Sequence, residues 1–127
     1  MSAKKMSVRT DKAPEPLGPY SQGIVCRDLV FTAQIGLDPR TKKLAGGDIQ
    51  SQTRQTIENL EAVLQAAGSG LDKVVKTTVF LNNIDDFKAM NEVYARYFAD
   101  CPPARCTVQA ARLPADALIE IDCVAHK

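Results

Sequence analysis

Between Asp48 and Gly68 the apolar side chains recur at spacings of three and four: Ile49, Ile57, Leu60, Val63, Leu64 and Ala67, with Thr53 and Thr56 continuing the row. An α-helix returns to one face at that period, so this segment predicts a helix with a single buried side that must lie on something. Asp48 is placed to accept the free N–H groups of the first turn, and Gly68 to stop the helix in the left-handed conformation. At 1.5 Å per residue the element is about 30 Å long. A second row, Phe87, Met90, Val93, Tyr94, Tyr97 and Phe98, predicts another one-sided helix, capped by Asp85 or Asp86 and ended by Pro102-Pro103.

What the helices lie on is written in β-formers. Ser21–Cys26 and Leu29–Ile35 read as a hairpin around the two-residue turn Arg27-Asp28. Lys73–Leu81 reads as a strand, and Val8-Arg9-Thr10 as a short edge strand. Two late extended segments flank a turn around Pro114, one opening with Arg105 and the other running from Leu118 to Val124. The order is strands, helix, strand, helix, strands, which predicts an α+β fold with two helices packed on one face of a mixed β-sheet. Val74–Leu81 and Leu118–Val124 are apolar on both alternations, more than a water-facing side needs. With no further helix to cover that side, self-association with closed symmetry is the expected cover. At 127 residues the chain reads as a single domain, 1–127, with 1–6 a loose tail.

Charge and cysteine usage remove several function classes. A net charge of +1 gives no electrostatic case for nucleic acid or a membrane surface as the main partner. No stretch approaches the roughly 20 apolar residues of a membrane span, and the first residues carry no apolar run behind Lys4-Lys5, so a cytoplasmic setting is expected. Cys26, Cys101, Cys106 and Cys123 form no CxxC pair, and His126 is the only histidine. Neither a metal site nor a disulfide framework is expected from that set.

Ala13–Tyr20 holds three prolines and a glycine in eight residues, which excludes helix and central strand and reads as an ordered loop near a site. Arg105 and Glu120, on what look like neighbouring strands, admit two readings. They pair with each other, or Asp122 takes the arginine, and the role is structural. Alternatively, the guanidinium binds a small carboxylate bidentately while the carboxylate holds a water.

Four segments resemble, in order, those of the RidA/YjgF family of reactive-intermediate deaminases: Gly18-Pro19-Tyr20-Ser21-Gln22-Gly23, Gln34-Ile35-Gly36-Leu37-Asp38-Pro39, Val74–Leu81, and Pro103-Ala104-Arg105 running to Ile119-Glu120-Ile121. The likeness spans about Lys12 to Ala125. It implies a chorismate-mutase-like fold, assembled as a homotrimer whose sheets face a central barrel, with three clefts between subunits. It implies hydrolysis of 2-iminobutanoate and 2-iminopropanoate to 2-keto acids and ammonia, with no cofactor.

The roles the resemblance implies are Arg105 for the substrate carboxylate, Glu120 for the hydrolytic water and Tyr20 beside either of them. Thr32, Ala33, Phe87, Asn91 and Thr107 are implied as further substrate-binding positions. Phe87 and Asn91 share a helix face at i and i+4. Thr107 shares a strand face with Arg105, at a position where the family often has cysteine. Cys106 then faces the other way and reads as a packed small hydrophobe. Thr32-Ala33 departs from the family's Ser-Gly, and the Ala33 methyl narrows the pocket or lowers activity. A binding module for keto acids, using the same cleft without turnover, is the alternative. An RNA-acting or chaperone role ranks below it.

Overall fold

The computed structural model describes residues 4–127. Met6–Val8 (β1), Gly23–Cys26 (β2), Leu29–Ile35 (β3), Val74–Leu81 (β4), Ala104–Gln109 (β5) and Ile119–His126 (β6) form one six-stranded sheet in the order β1-β2-β3-β6-β4-β5. The helices are Ile49–Ala66 (α1) and Phe87–Tyr97 (α2). Only β4 and β5 pair in parallel; every other pair is antiparallel, so the sheet is mixed as the sequence predicts.

Both ends of α1 follow the sequence reading. The Asp48 carboxylate accepts from Ser51 N at 3.0 Å and from Ser51 Oγ at 2.6 Å. Gly68 takes φ 84°, and its N–H donates to Gln65 O while Ser69 N–H donates to Leu64 O, the two bonds of a Schellman end. Thr53 and Thr56 are buried in the apolar row because each hydroxyl donates to the carbonyl four residues back. α2 differs from expectation. A 3-10 turn, Ile84–Asp86, precedes it, and Asp86 holds the N-cap position as expected, but its side chain makes no capping bond. The Asn83 side chain accepts from Asp85 N at 2.9 Å instead.

One face of the sheet and both helices share a core of Val30, Ile57, Leu60, Leu64, Val79, Leu81, Met90, Ile119 and Ile121, all fully buried. β2 passes so close beneath α1 that a Cβ on Gly23 would lie 2.5 Å from Val63 Cγ1, which is why glycine stands there. Polar residues fasten the layers. Asn59 Nδ2 donates to the carbonyls of Ile35 and Leu37, and Gln52 donates to Gly46 O while accepting from Leu118 N.

The opposite face carries Leu29, Phe31 and Ala33 from β3, Glu120, Asp122 and Val124 from β6, Thr78 and Phe80 from β4, and Cys106 and Val108 from β5. No element among the described residues covers it, and Phe31 and Val108 are 40% and 39% exposed. Its exposed apolar side chains, Leu29, Phe31 and Val108, belong to β3 and β5, whereas β4 and β6 place Lys76, Thr78, Glu120 and Asp122 on it beside Phe80 and Val124, so those two strands are not apolar on both alternations as expected.

Two expectations are corrected. The edge strand is Met6–Val8, not Val8-Arg9-Thr10, because Met6–Val8 is the stretch that pairs with Gly23–Val25; Met6 therefore leaves the expected tail 1–6. Residues 1–3 of that tail lie outside the described residues. The strands of Arg105 and Glu120 are not neighbours, since β4 lies between β5 and β6.

Candidate active site

The residues singled out from the sequence fall into two groups on opposite faces of the sheet. The first gathers around a cleft of about 530 Å³ between the proline-rich loop and the open face, lined by Tyr20, Ala33, Ile35, Leu37, Pro114 and Glu120 together with loop residues from Pro14 onward. The loop is ordered by one buried side chain. Gln22 Nε2 donates to the carbonyls of Thr10, Ala13 and Pro14 at 2.9, 3.1 and 2.9 Å, and Gln22 Oε1 accepts from Thr10 N. Prolines cannot donate backbone hydrogen bonds, so the side chain supplies what the loop lacks. Tyr20 Oη accepts from Leu17 N at 2.8 Å, which pins the ring to its own loop while leaving one face in the cleft.

Glu120 sits on β6 between Ile35 of β3 and Phe80 of β4, flanked on both sides by apolar neighbours. No described ion pair involves it. Burial, with the like charge of Asp122 on the same strand face adding to it, pushes its carboxyl above the usual carboxylate range. A carboxyl raised in this way holds a proton more readily than an exposed one, which suits it to proton transfer.

Ala33 points to the same open face, opposite Asp122, and is exposed. Thr32 does not join it. Its hydroxyl donates to Gln22 O at 2.7 Å and accepts from Gln34 Nε2 at 3.2 Å on the helix side, so its side chain supports the loop instead of lining the cleft.

The second group surrounds Arg105. In register Arg105 pairs with buried Thr77 and Thr107 with Val79, on the helix side at the sheet's β5 edge. The guanidinium carbon stands 4.7 Å from the ring centroid of Tyr94 and 5.4 Å from that of Phe87. No described ion pair includes it. The structural pairing with Glu120 or Asp122 is therefore absent within the chain: those carboxylates face the other side. Asn91, half-buried, lies one turn beyond Phe87 on α2. Cys106 faces the open side opposite Thr78 and is exposed, so it is not packed within the chain as expected. The thiol that is packed is Cys123, which burial, then Asp122, pushes up to about 12.

The sequence places Tyr94 only in the apolar row of the second helix. It is also the nearer of the two rings under Arg105, and its place three residues beyond Asn91 and seven beyond Phe87 was the available signal. Among the described residues no three His, Cys, Asp or Glu side chains gather as a metal site, and no helix is long and apolar enough to cross a membrane.

A family model described as Endoribonuclease L-PSP matches residues 10–127. A RutC family protein from Pyrococcus horikoshii is 50% identical over 124 residues, 97% of this chain and 98% of that one. Reactive Intermediate Deaminase A, chloroplastic, of Arabidopsis thaliana is 47% identical over 125 residues, 98% of this chain and 67% of that one. Among solved structures, that of E. coli TdcF with bound serine has a TM-score of 0.92 at 38% identity and covers 96% of this chain and 98% of that one.

Proposed function

The chain belongs to the RidA/YjgF family, the family whose model is described as Endoribonuclease L-PSP, and from that premise we propose that it hydrolyses small 2-imino acids, 2-iminobutanoate and 2-iminopropanoate, to 2-keto acids and ammonia. The observation that carries this reading is an arginine resting on aromatic rings with no carboxylate partner, and a raised carboxyl with no cation, on opposite faces of one sheet. Each is half of a site. Only another copy of the chain brings an Arg105 to a Glu120, and the exposed Leu29, Phe31 and Val108 of the uncovered face supply the reason for copies to associate. A closed homotrimer with clefts between subunits meets both needs. The cytoplasmic setting read from the sequence belongs to the same proposal.

The chemistry follows from the substrate. Arg105 of one copy pairs with the substrate carboxylate through two parallel N–H donors, with Asn91 and Thr107 beside it. The protonated imine carbon then lies over the cleft of the next copy, between Tyr20, the Ala33 methyl and Glu120. Water adds to that carbon as Glu120 takes its proton, giving a carbinolamine. Glu120 returns the proton to nitrogen, then takes the hydroxyl proton as the C–N bond breaks and the oxygen becomes the carbonyl, and the ammonia that leaves carries that proton away as ammonium. An iminium carbon is electrophilic enough that a placed water and one proton acceptor suffice.

A binding module for small carboxylates in the same cleft is the second reading, favoured by the relative that holds serine. It predicts saturable binding without turnover. The ribonuclease in the family's description has little electrostatic support in a chain of net charge +1.

The test generates the imine in place with an amino-acid oxidase and follows its loss. The proposal expects acceleration over buffer and a fall of roughly ten- to a hundredfold in Arg105→Ala, the scale of a charged hydrogen-bond pair. No acceleration, or an unchanged Arg105→Ala rate, overturns it.

A further inference from the structure

An arginine holds a carboxylate bidentately in one orientation of its planar guanidinium, at the end of a long flexible stem. Something must fix that plane before the ligand arrives. No carboxylate does so at Arg105 among the described residues. What meets the guanidinium is the face of Tyr94, with Phe87 farther off.

The two rings are not equivalent. Phe87 is 41% exposed at the start of α2, whereas Tyr94 is buried. The Tyr94 hydroxyl meets Thr77 Oγ1 at 2.8 Å. Thr77 is fully buried and is the β4 residue paired with Arg105 itself. A closed circuit results: Arg105 rests on Tyr94, Tyr94 bonds to Thr77, and Thr77 pairs with Arg105 along the strands. Phe98 backs the tyrosine at 4.6 Å with the rings tilted by 36°. Burial pushes the phenol above its ordinary value, against the opposing pull of Thr77 and of the Arg105 charge, so the hydroxyl keeps its proton.

We infer that Tyr94, anchored by Thr77, is the positioning residue of the Arg105 carboxylate clamp, setting the plane of the guanidinium without touching the substrate. An acidic partner would orient the arginine too, but it would occupy the donors the substrate needs. An aromatic face attracts the cation and leaves the N–H edge free. The inference rests on the imine-hydrolase reading and deepens it.

The experiment measures the Kd of 2-oxobutanoate by calorimetry, and KM and kcat for the imine generated in place, on the full chain. Tyr94→Leu is expected to raise Kd and KM roughly tenfold, the scale of a partly desolvated cation–π contact, with kcat changed less than about threefold. Tyr94→Phe and Thr77→Val are each expected to raise KM about threefold. Their combination should be no worse than either alone, because both break one bond. 2-Oxobutanamide, which lacks the carboxylate, should bind equally weakly to all variants.

If the leucine variant does not fold, Tyr94→Met fills the space with a more adaptable side chain and carries the same expectation. A folded Tyr94 variant with unchanged Kd and KM overturns the inference, as does full additivity of Tyr94→Phe with Thr77→Val. Arg105→Ala separates the two levels. If it binds 2-oxobutanoate like the parent, the hydrolase reading itself fails; if it loses binding while the Tyr94 variants keep it, only the positioning role fails.

Discussion

Arg105 and Glu120 lie on opposite faces of the same sheet, with β4 between their strands: Thr77 pairs with Arg105 on the helix side and Phe80 with Glu120 on the open side. Both are chemically unsatisfied in one chain. Under the proposed reading, a site that uses both takes them from two copies.

That relationship gives a complementation test. Arg105→Ala and Glu120→Gln should each keep no more than about a tenth of parental activity as pure assemblies. Unfolded together at equal amounts and refolded, they should recover about a quarter of parental activity, because in a randomly mixed closed ring one interface in four unites an intact Arg105 with an intact Glu120. Recovery at background level would mean that each cleft is built within one copy.

Glu120 sets a pH dependence whose sign is fixed by its raised carboxyl, a consequence first of burial and then of Asp122. Below the ordinary carboxylate range the group is protonated folded or unfolded and has no effect. As pH rises through the raised value the folded chain must bear a charge it disfavours, and stability is lost. Glu120→Gln should therefore be more stable than the parent at neutral pH and equal to it in acid, by urea denaturation at both. Turnover should fall roughly 10²–10⁴-fold, as for loss of an acid–base group. Asp122→Asn, which removes the second cause, should move the acid limb of the kcat/KM profile to lower pH.

Gln22 holds the loop that carries Tyr20. Gln22→Leu leaves the carbonyls of Thr10, Ala13 and Pro14 without their shared donor. A loss of about 1–3 kcal/mol in chemical denaturation is expected from the unsatisfied groups. Activity should fall further than stability explains, and amide exchange in 13–20 should speed up. Unchanged exchange there would argue that the prolines alone order the loop.

The open face is tested at Phe31. A carboxylate introduced by Phe31→Glu would be buried without a partner on association, at a cost on the order of 3–5 kcal/mol. That shifts the assembly midpoint more than about a hundredfold in concentration. Sedimentation should show single chains at concentrations where the parent associates, and imine hydrolysis should disappear with the assembly. A fully associated Phe31→Glu would mean that another surface joins the copies.

Ala33 presents its methyl to the Glu120 cleft. Ala33→Gly removes it at a strand cost of roughly 0.5–1 kcal/mol. The expected result is a larger gain in kcat/KM for the bulkier of two imino acids, read by comparing 2-iminobutanoate with 2-iminopropanoate. Equal effects on both would separate Ala33 from substrate choice.

The amino-acid sequence by itself determined what is local. The three-and-four spacing set both helices, Gly68 set the end of the first, and Arg27-Asp28 set the hairpin. Strand alternation correctly put Thr107 with Arg105 and Cys106 against them, because side chains in a strand alternate whatever lies beside it. The ordered motifs from Gly18 to Glu120 carried the family. Thr32 and Ala33 are both expected at the substrate, but adjacent strand residues face opposite sides, and the fold, by making the helix side interior, turns the Thr32 hydroxyl away from the cleft. Asp86 took the N-cap position of the second helix without a capping bond, because a 3-10 turn with its own cap, Asn83, intervenes. The tertiary structure alone decided that β4 enters between β5 and β6. Strand order depends on contacts far apart in the chain, and no local period encodes it. That insertion puts Arg105 and Glu120 on opposite faces, gives Arg105 a buried tyrosine as its neighbour instead of a carboxylate, and keeps the two halves of the candidate site apart within one chain.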